Sequence, residues 1–140
     1  MNTRKTLLVL VTLALLSLLP ACCGLAETTG IAVTDMTGRS VALSAPATRV
    51  VALTAADCEI LCALGAEDLL VGRGEYCDYP ASVLEVPAVQ SGLETNLEQI
   101  IALEPQVLLM STMAQTEQQV KQLEDAGIRV VVSDASDLAG

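Results

Sequence analysis

RVVALTAADCEILCALGAEDLLVG, residues 49–72, decides the fold. Val50 to Leu53 is an apolar run without alternation, as expected of a strand buried on both faces. Ala55 to Leu64 follows as a helix that ends at Gly65, where glycine suits a left-handed cap. Leu69 to Gly72 is then a second strand. The same alternation continues downstream. Arg73 to Pro80 reads as a loop, Ala81 to Leu84 as a short helical piece, and Val86 to Val89 as an extended stretch. Asn96 is a good N-cap, and Gln99 three residues on completes a capping-box-like start for a helix over Leu97 to Leu103. Pro105 ends it. Val107 to Met110 is a third core strand. Thr116 to Ala126 is a polar-faced helix carrying Val120 and Leu123 inward, Gly127 caps it, and Ile128 to Val132 is a fourth strand. Upstream, Ile31 to Asp35 and Ser40 to Leu43 flank the turn-like Met36 to Arg39, which predicts a hairpin.

Strand, helix and strand in strict alternation predict right-handed crossovers and a parallel sheet covered on both faces. The expected class is α/β: a Rossmann-like three-layer lobe with about four parallel strands, preceded by a short β-hairpin. Such sheets bind ligands at the carboxyl ends of their strands. The loops Thr54–Asp57, Arg73–Pro80, Ser111–Gln115 and Ser133–Ala135 are therefore the candidate site.

At the other end of the chain, Arg4 and Lys5 precede an apolar run from Leu7 to Ala21 broken only by Thr12, Ser17 and Pro20. This is the charged-then-apolar pattern of a secretory signal. A bilayer-spanning helix needs about 20 apolar residues, and this run is shorter, so the pattern favours a cleaved signal over a permanent span. Leu19-Pro20-Ala21-Cys22 resembles the bacterial lipobox, in which the cysteine is acylated and becomes the new N-terminus. On that reading residues 1–21 are a lipoprotein signal, Cys22 is the anchor, 22–30 is a small polar tether, and 31–140 is the folded lobe, held at the extracytoplasmic face of a cell membrane. The alternative is an ordinary signal peptide cut after Ala21.

Removing residues 1–21 takes two of seven basic residues and none of seventeen acidic ones, which shifts the net charge from −10 to −12. So acidic a chain is a poor partner for nucleic acid. It contains no histidine, which excludes an imidazole-ligated bare-metal site. No resident cofactor is expected. With no Phe or Trp, and Tyr76 and Tyr79 the two tyrosines, the core must be aliphatic. Cys58 and Cys62 share a helix face, but their parallel Cβ vectors would strain a bridge between them. Burial as small apolar residues, or a bridge to Cys77, are the two accounts of these thiols.

Val33-Thr-Asp-Met-Thr-Gly-Arg39, Arg49-Val-Val, Ala63-Leu-Gly-Ala66, Val71-Gly72, Tyr76-Cys-Asp-Tyr-Pro80, Asn96-Leu-Glu98, Ile101-Ala-Leu-Glu-Pro105 and Gly127-Ile stand in an order and spacing that resemble a known family. It is the siderophore, haem and cobalamin class of ABC-transporter substrate-binding proteins, the helical-backbone type of periplasmic binding protein. The resemblance runs from about Val33 onward and covers the N-terminal lobe. It implies a second lobe and a linking helix, both missing here, with a metal chelate bound between the lobes and an ABC permease as partner.

Candidate site residues come from position for Tyr76 and Arg73, in a loop at the carboxyl end of a strand, and from the resemblance for Ala56 and Glu98. Tyr76 would stack on the ligand, or else cover the lobe's own core. Arg73 would pair with ligand carboxylates, or stand as a solvated surface charge. Ala56 lies where the first loop approaches the ligand. Glu98 would stand on an outer tip, opposite the ligand rim, for arginines of the permease; an acid in the first turn of a helix is favourable in any protein. Between Gln90 and Asn96 the chain departs from cobalamin binders of the class, which tend to carry an aromatic where it has Ser91 to Thr95.

Two other function classes remain open. An exported thiol, redox or other Rossmann-like enzyme domain would need Asp57 with Cys58 at a helix start to yield a reactive thiolate. No Gly-x-Gly-x-x-Gly follows the first parallel strand and no Walker lysine occurs, so the expectation is a non-enzyme. A ligand-free docking module is the third reading.

Overall fold

The computed structural model describes residues 30–92, 94–112 and 116–134. The proposed signal, Cys22 and the tether up to residue 29 lie outside the described residues, as do Leu93, residues 113–115 and residues 135–140. Among the described residues no helix is long and apolar enough to cross a membrane.

Strands β1 (Ile31–Thr34) and β2 (Ser40–Leu43) form the expected antiparallel hairpin, with Ile31 opposite Leu43 and Thr34 opposite Ser40. The remaining strands are β3 (Val50–Ala52), β4 (Leu70–Gly74), β5 (Ala88–Val89), β6 (Val107–Met110) and β7 (Arg129–Val132). They form one parallel sheet in the order β5-β4-β3-β6-β7. The parallel α/β class holds, with a fifth strand where the sequence predicts an extended stretch. Two residues of β5 pair with Arg73 and Gly74, too short a run for periodicity to distinguish from a loop.

Helix α1 (Ala55–Ala63) covers one face; α2 (Leu97–Ala102) and α3 (Glu117–Asp125) cover the other. The sides follow from chain order. From β3 the chain steps outward to β4 and β5, then returns across β3 to β6 and β7. Right-handed crossovers in opposite directions put their helices on opposite faces. Alternate residues of β3 serve the two layers: Val51 joins Ile100, Leu108 and Leu123 under α2 and α3, while Ala52 joins Cys58, Cys77 and Val83 under α1.

The helix ends obey their local signals. Thr54 caps α1 by accepting from Asp57 N–H, and Thr116 forms a reciprocal capping box with Gln119. Gly65 and Gly127 follow α1 and α3 at φ +71° and +87°, the left-handed conformation expected of them. Asn96 caps α2 by accepting from Gln99 N–H at 3.1 Å, but the reciprocal half of the predicted box is not made. Gln90 oxygen already takes Asn96 N–H, and Gln99 Oε1 instead accepts from Gln90 N–H at 3.1 Å. Both backbone polar groups of Gln90 are thereby tied to the start of α2.

A sheet ending at β7 leaves a row of backbone groups unpaired, and the hairpin turn meets them. Met36 N–H donates to Val132 oxygen at 3.1 Å, and Arg39 Nη2 to Val130 oxygen at 3.0 Å. Buried Asp35 organises this contact. It accepts at Oδ1 from Thr37 N–H, Thr37 hydroxyl and Arg39 N–H at 3.0, 2.7 and 2.9 Å, and at Oδ2 from Arg39 Nε at 3.0 Å. Burial opposes ionisation of this carboxyl, but the hydrogen bonds from Thr37 and Arg39 outweigh it and hold its pKa well below the usual carboxylate range.

A carboxylate with a depressed folded pKa stabilises fully above its unfolded value of 3.8, and loses that contribution as pH falls through 3.8 toward the folded value. We expect Asp35→Asn to cost about 1–3 kcal/mol near neutral pH. In urea titrations the gap to the parent protein should narrow as pH is lowered below that unfolded value. A gap that stays constant with pH would contradict the account.

Candidate functional site

The chain order reverses between β3 and β6, and at such a point the connections leave the carboxyl ends of neighbouring strands in opposite directions. A crevice opens there. The structure has a depression of about 220 Å³ at this place. Its walls come from every strand end nearby: Leu53, Thr54 and Ala55 after β3, Tyr76 after β4, Ser91 and Gly92 after β5, and Ser111 after β6.

Beneath that rim the strand ends are tied together. Asp57, buried at the start of α1, accepts from Thr54 hydroxyl at Oδ2 and from Ser133 hydroxyl at Oδ1, both at 2.6 Å. Ser133 N–H in turn donates to Met110 oxygen at 2.9 Å. One carboxylate therefore links the exits of β3 and β7, with β6 held through Ser133. Sequence reading places Thr54 and Asp57 in one candidate loop and Ser133 in another, without joining them. The Thr54-x-x-Asp57 spacing, a capping-box pattern, is the signal that could have marked half of this latch. Ser133, 76 residues away, has no local signal.

Tyr76 stands at the apex of a tight turn closed by Cys77 N–H donating to Gly74 oxygen at 3.0 Å. The residue is 74% exposed and forms one wall of the depression. Covering the lobe's own core is thus not its role among the described residues. Tyr79 is also exposed, on the same loop, without lining the depression.

Arg73 is placed differently from expectation. It belongs to β4 rather than the loop and is 9% exposed. Its Nη1 donates inward to Gly74 and Cys77 oxygens at 3.2 and 2.9 Å, bracing the Tyr76 turn, while its buried Nε meets no acceptor among the described residues. The backbone carbonyls of the turn already hold the guanidinium, so it is neither a solvated surface charge nor on the open rim. Ala56 is exposed in the first turn of α1, but its neighbour Ala55 forms the wall.

Glu98 is exposed in the first turn of α2. A crossover helix runs antiparallel to its strands, so its N-terminus lies at their carboxyl end. The bond from Asn96 N–H to Gln90 oxygen, just past β5, fixes it there at 3.1 Å. Glu98 therefore shares the end of the sheet that carries Tyr76. The expectation of an opposite tip is corrected by the parallel topology itself.

Cys58 and Cys77 are fully buried under α1, and Cys62 is half-buried beside them. The hydrogen bond with Cys77, followed by burial, pushes the Cys58 thiol up. A reactive thiolate at Cys58, on which the redox-enzyme reading depends, is thereby disfavoured. A larger depression, about 510 Å³, lies between α3 and the hairpin turn. Its walls include Arg39 and Glu124, already paired at 3.2 Å, and the solvated face of α3 around Glu117 and Lys121. It has no aromatic wall and sits beside the sheet rather than at the reversal, so the smaller rim depression is the better candidate.

Residues 50–137 match the family described as periplasmic binding protein. The chain is similar to the vitamin B12-binding protein of Salmonella typhi, 37% identical over 89 residues, covering 64% of this chain and 33% of that protein. It is also similar to the uncharacterized ABC transporter substrate-binding lipoprotein YvrC of Bacillus subtilis, 33% identical over 108 residues, covering 75% of this chain and 34% of that protein. Among solved structures, a periplasmic heme binding protein from Pseudomonas aeruginosa aligns with a TM-score of 0.61 at 30% identity, covering 64% of this chain and 32% of that one. The chain spans about a third of the length of these curated relatives.

The rim depends on a close approach at Gly74, where a Cβ would lie 2.2 Å from Leu53 oxygen and 2.9 Å from its carbonyl carbon. Gly74→Ala must therefore push β3 and the Tyr76 turn apart. We expect a loss on the order of 1–3 kcal/mol in urea unfolding. Parent-like stability of the alanine variant would contradict the close approach.

Proposed function

The chain belongs to the periplasmic binding protein family, and from that premise we propose that it supplies one ligand-facing half of a substrate-binding component that delivers a metal chelate to an ABC importer. The observation that carries this reading is the depression at the strand-order reversal, with Tyr76 as an exposed aromatic wall. An aromatic face held on a rigid turn can stack on a flat macrocycle while its hydroxyl stays hydrated. Small-molecule sites run from about 300 to 1,000 Å³, so a depression of about 220 Å³ is suited to one side of a ligand rather than to enclosing it. The ligand class is a cobalamin, haem or ferric siderophore; the names of the Salmonella and Pseudomonas proteins favour the first two.

Within this reading Tyr76 touches the ligand, Ala55 and Ala56 leave room for it to approach the start of α1, and Arg73 acts through the turn that it braces. Glu98 is the contact for the permease. Because it shares an end of the sheet with Tyr76, the permease would meet the protein on the side where the ligand is held. Lipidation at Cys22, with residues 1–21 as signal, 22–30 as tether and 31–140 as lobe, is supported by the lipobox-like Leu19-Pro20-Ala21-Cys22 and by the lipoprotein named among the relatives. The protein would then be held at the extracytoplasmic face of the membrane. A ligand-free docking module is the less favoured reading, because it leaves the exposed aromatic on the rim without a use.

Calorimetry of the chain against haemin, cyanocobalamin and a ferric siderophore tests the proposal, with uptake by cells measured in parallel. Tyr76→Ala should weaken binding of the accepted ligand by about tenfold, the loss of roughly 1.4 kcal/mol of stacking. Glu98→Arg should leave that affinity unchanged and lower uptake. Failure to bind any of the three, or equal affinity of Tyr76→Ala and parent, would overturn the ligand role; normal uptake by Glu98→Arg would remove the docking role.

A further inference from the structure

We propose that Cys58 and Cys77 are a disulfide site, which when oxidised fastens the turn carrying Tyr76 to the start of α1. Both residues are fully buried in the small cluster under α1, and both Sγ atoms point at one acceptor, Ala52 oxygen at the end of β3, at 3.7 Å from Cys58 and 4.0 Å from Cys77. Two sulfurs on separate elements that face one carbonyl oxygen are turned toward a common point, unlike Cys58 and Cys62, whose Cβ vectors run parallel along one helix. The partners are also well held. Arg73 and Gly74 grip the backbone of Cys77, and Thr54 caps the helix that holds Cys58.

The compartment supplies the other condition. Disulfides persist outside the cytoplasm, and the family is extracytoplasmic by description. The oxidant is a small disulfide such as oxidised glutathione. Cys77 attacks first: its hydrogen bond with Cys58 and the charge of Arg73 lower its thiol pKa against the opposing effect of burial. Because Cys77 is buried, attack requires the turn to open briefly, and the exposed flanking residues Glu75, Tyr76 and Asp78 place that turn at the surface. The Cys77 thiolate bonds to one sulfur of the oxidant and expels a small thiolate. Cys58, losing its proton, then attacks the Cys77 sulfur of the mixed disulfide and expels the second. Two small thiols carry away the two electrons and two protons lost by the protein.

The bridge acts on the ligand rim by position, since Tyr76 immediately precedes Cys77. It does not depend on which ligand the rim accepts, so it stands or falls separately from the binding experiment. The test is oxidation of the purified chain with oxidised glutathione, followed by alkylation and peptide mapping without reductant. The expected product links the peptides of Cys58 and Cys77, leaves Cys62 alkylated, and melts on the order of 10 °C higher than the reduced protein. Cys62→Ser should retain the link and Cys77→Ser should lose it. Recovery of Cys58 and Cys77 as separate alkylated or glutathionylated peptides, a Cys62 link in either one's place, or a bridged form that melts no higher than the reduced one would overturn the proposal.

Discussion

Strand β3 is three residues long, fully buried, and hydrogen-bonded on both sides, and the rest of the molecule is arranged around it. A parallel strand in that position can expose no polar side chain on either face, which is why Val50, Val51 and Ala52 are all apolar. Its carboxyl end is where the chain reverses direction across the sheet. Leu53 N–H donates to Leu109 oxygen on one side, and Gly74 presses against Leu53 oxygen on the other. Thr54 opens α1, and Ala52 oxygen receives the two thiols. The candidate ligand wall, the latch at Asp57 and the cysteine pair all follow from the exit of this one short strand.

Much of the architecture could be read from residue order, because its determinants are local. Unbroken apolar runs marked β3 and β6, a run interrupted only by Arg129 marked β7, glycines marked the ends of α1 and α3, and Asn96 marked the start of α2. What escaped was settled by residues distant in the chain. Two residues form β5 because Arg73 and Gly74 offer a free edge, which the sequence around Ala88 does not reveal. Gln99 fits a reciprocal cap, yet Gln90 takes both sides of that exchange. Arg73 has the composition of a loop charge and the position of a buried brace, and only pairing with β3 and β5 decides between them.

The site shows the same division. Tyr76 was legible because an aromatic is rare in this chain and because it follows a strand. The latch through Asp57 was only half legible, since Ser133 reaches it across the sheet. Glu98 was correctly placed in a first helical turn and wrongly placed in space; the antiparallel run of a crossover helix puts its start at the end of the sheet that carries Tyr76. That shift matters physically. On the proposed roles, a ligand face and a docking acid at one end of the sheet would let a transmembrane partner approach the ligand directly, without a signal crossing the lobe.

Strong acidity sets the long-range field of the chain but does not choose its ligand. Choice must come from the rim, and the most direct measurement of the rim is amide chemical-shift mapping of the isotope-labelled chain titrated with diamagnetic cyanocobalamin, in which even weak contact is visible. The account predicts shifts concentrated at Thr54 to Asp57, at Tyr76 and Cys77, at Ser91 and Gly92, and at Ser111. Shifts gathered instead around Thr37, Lys121 and Val132, the walls of the larger depression, would contradict it.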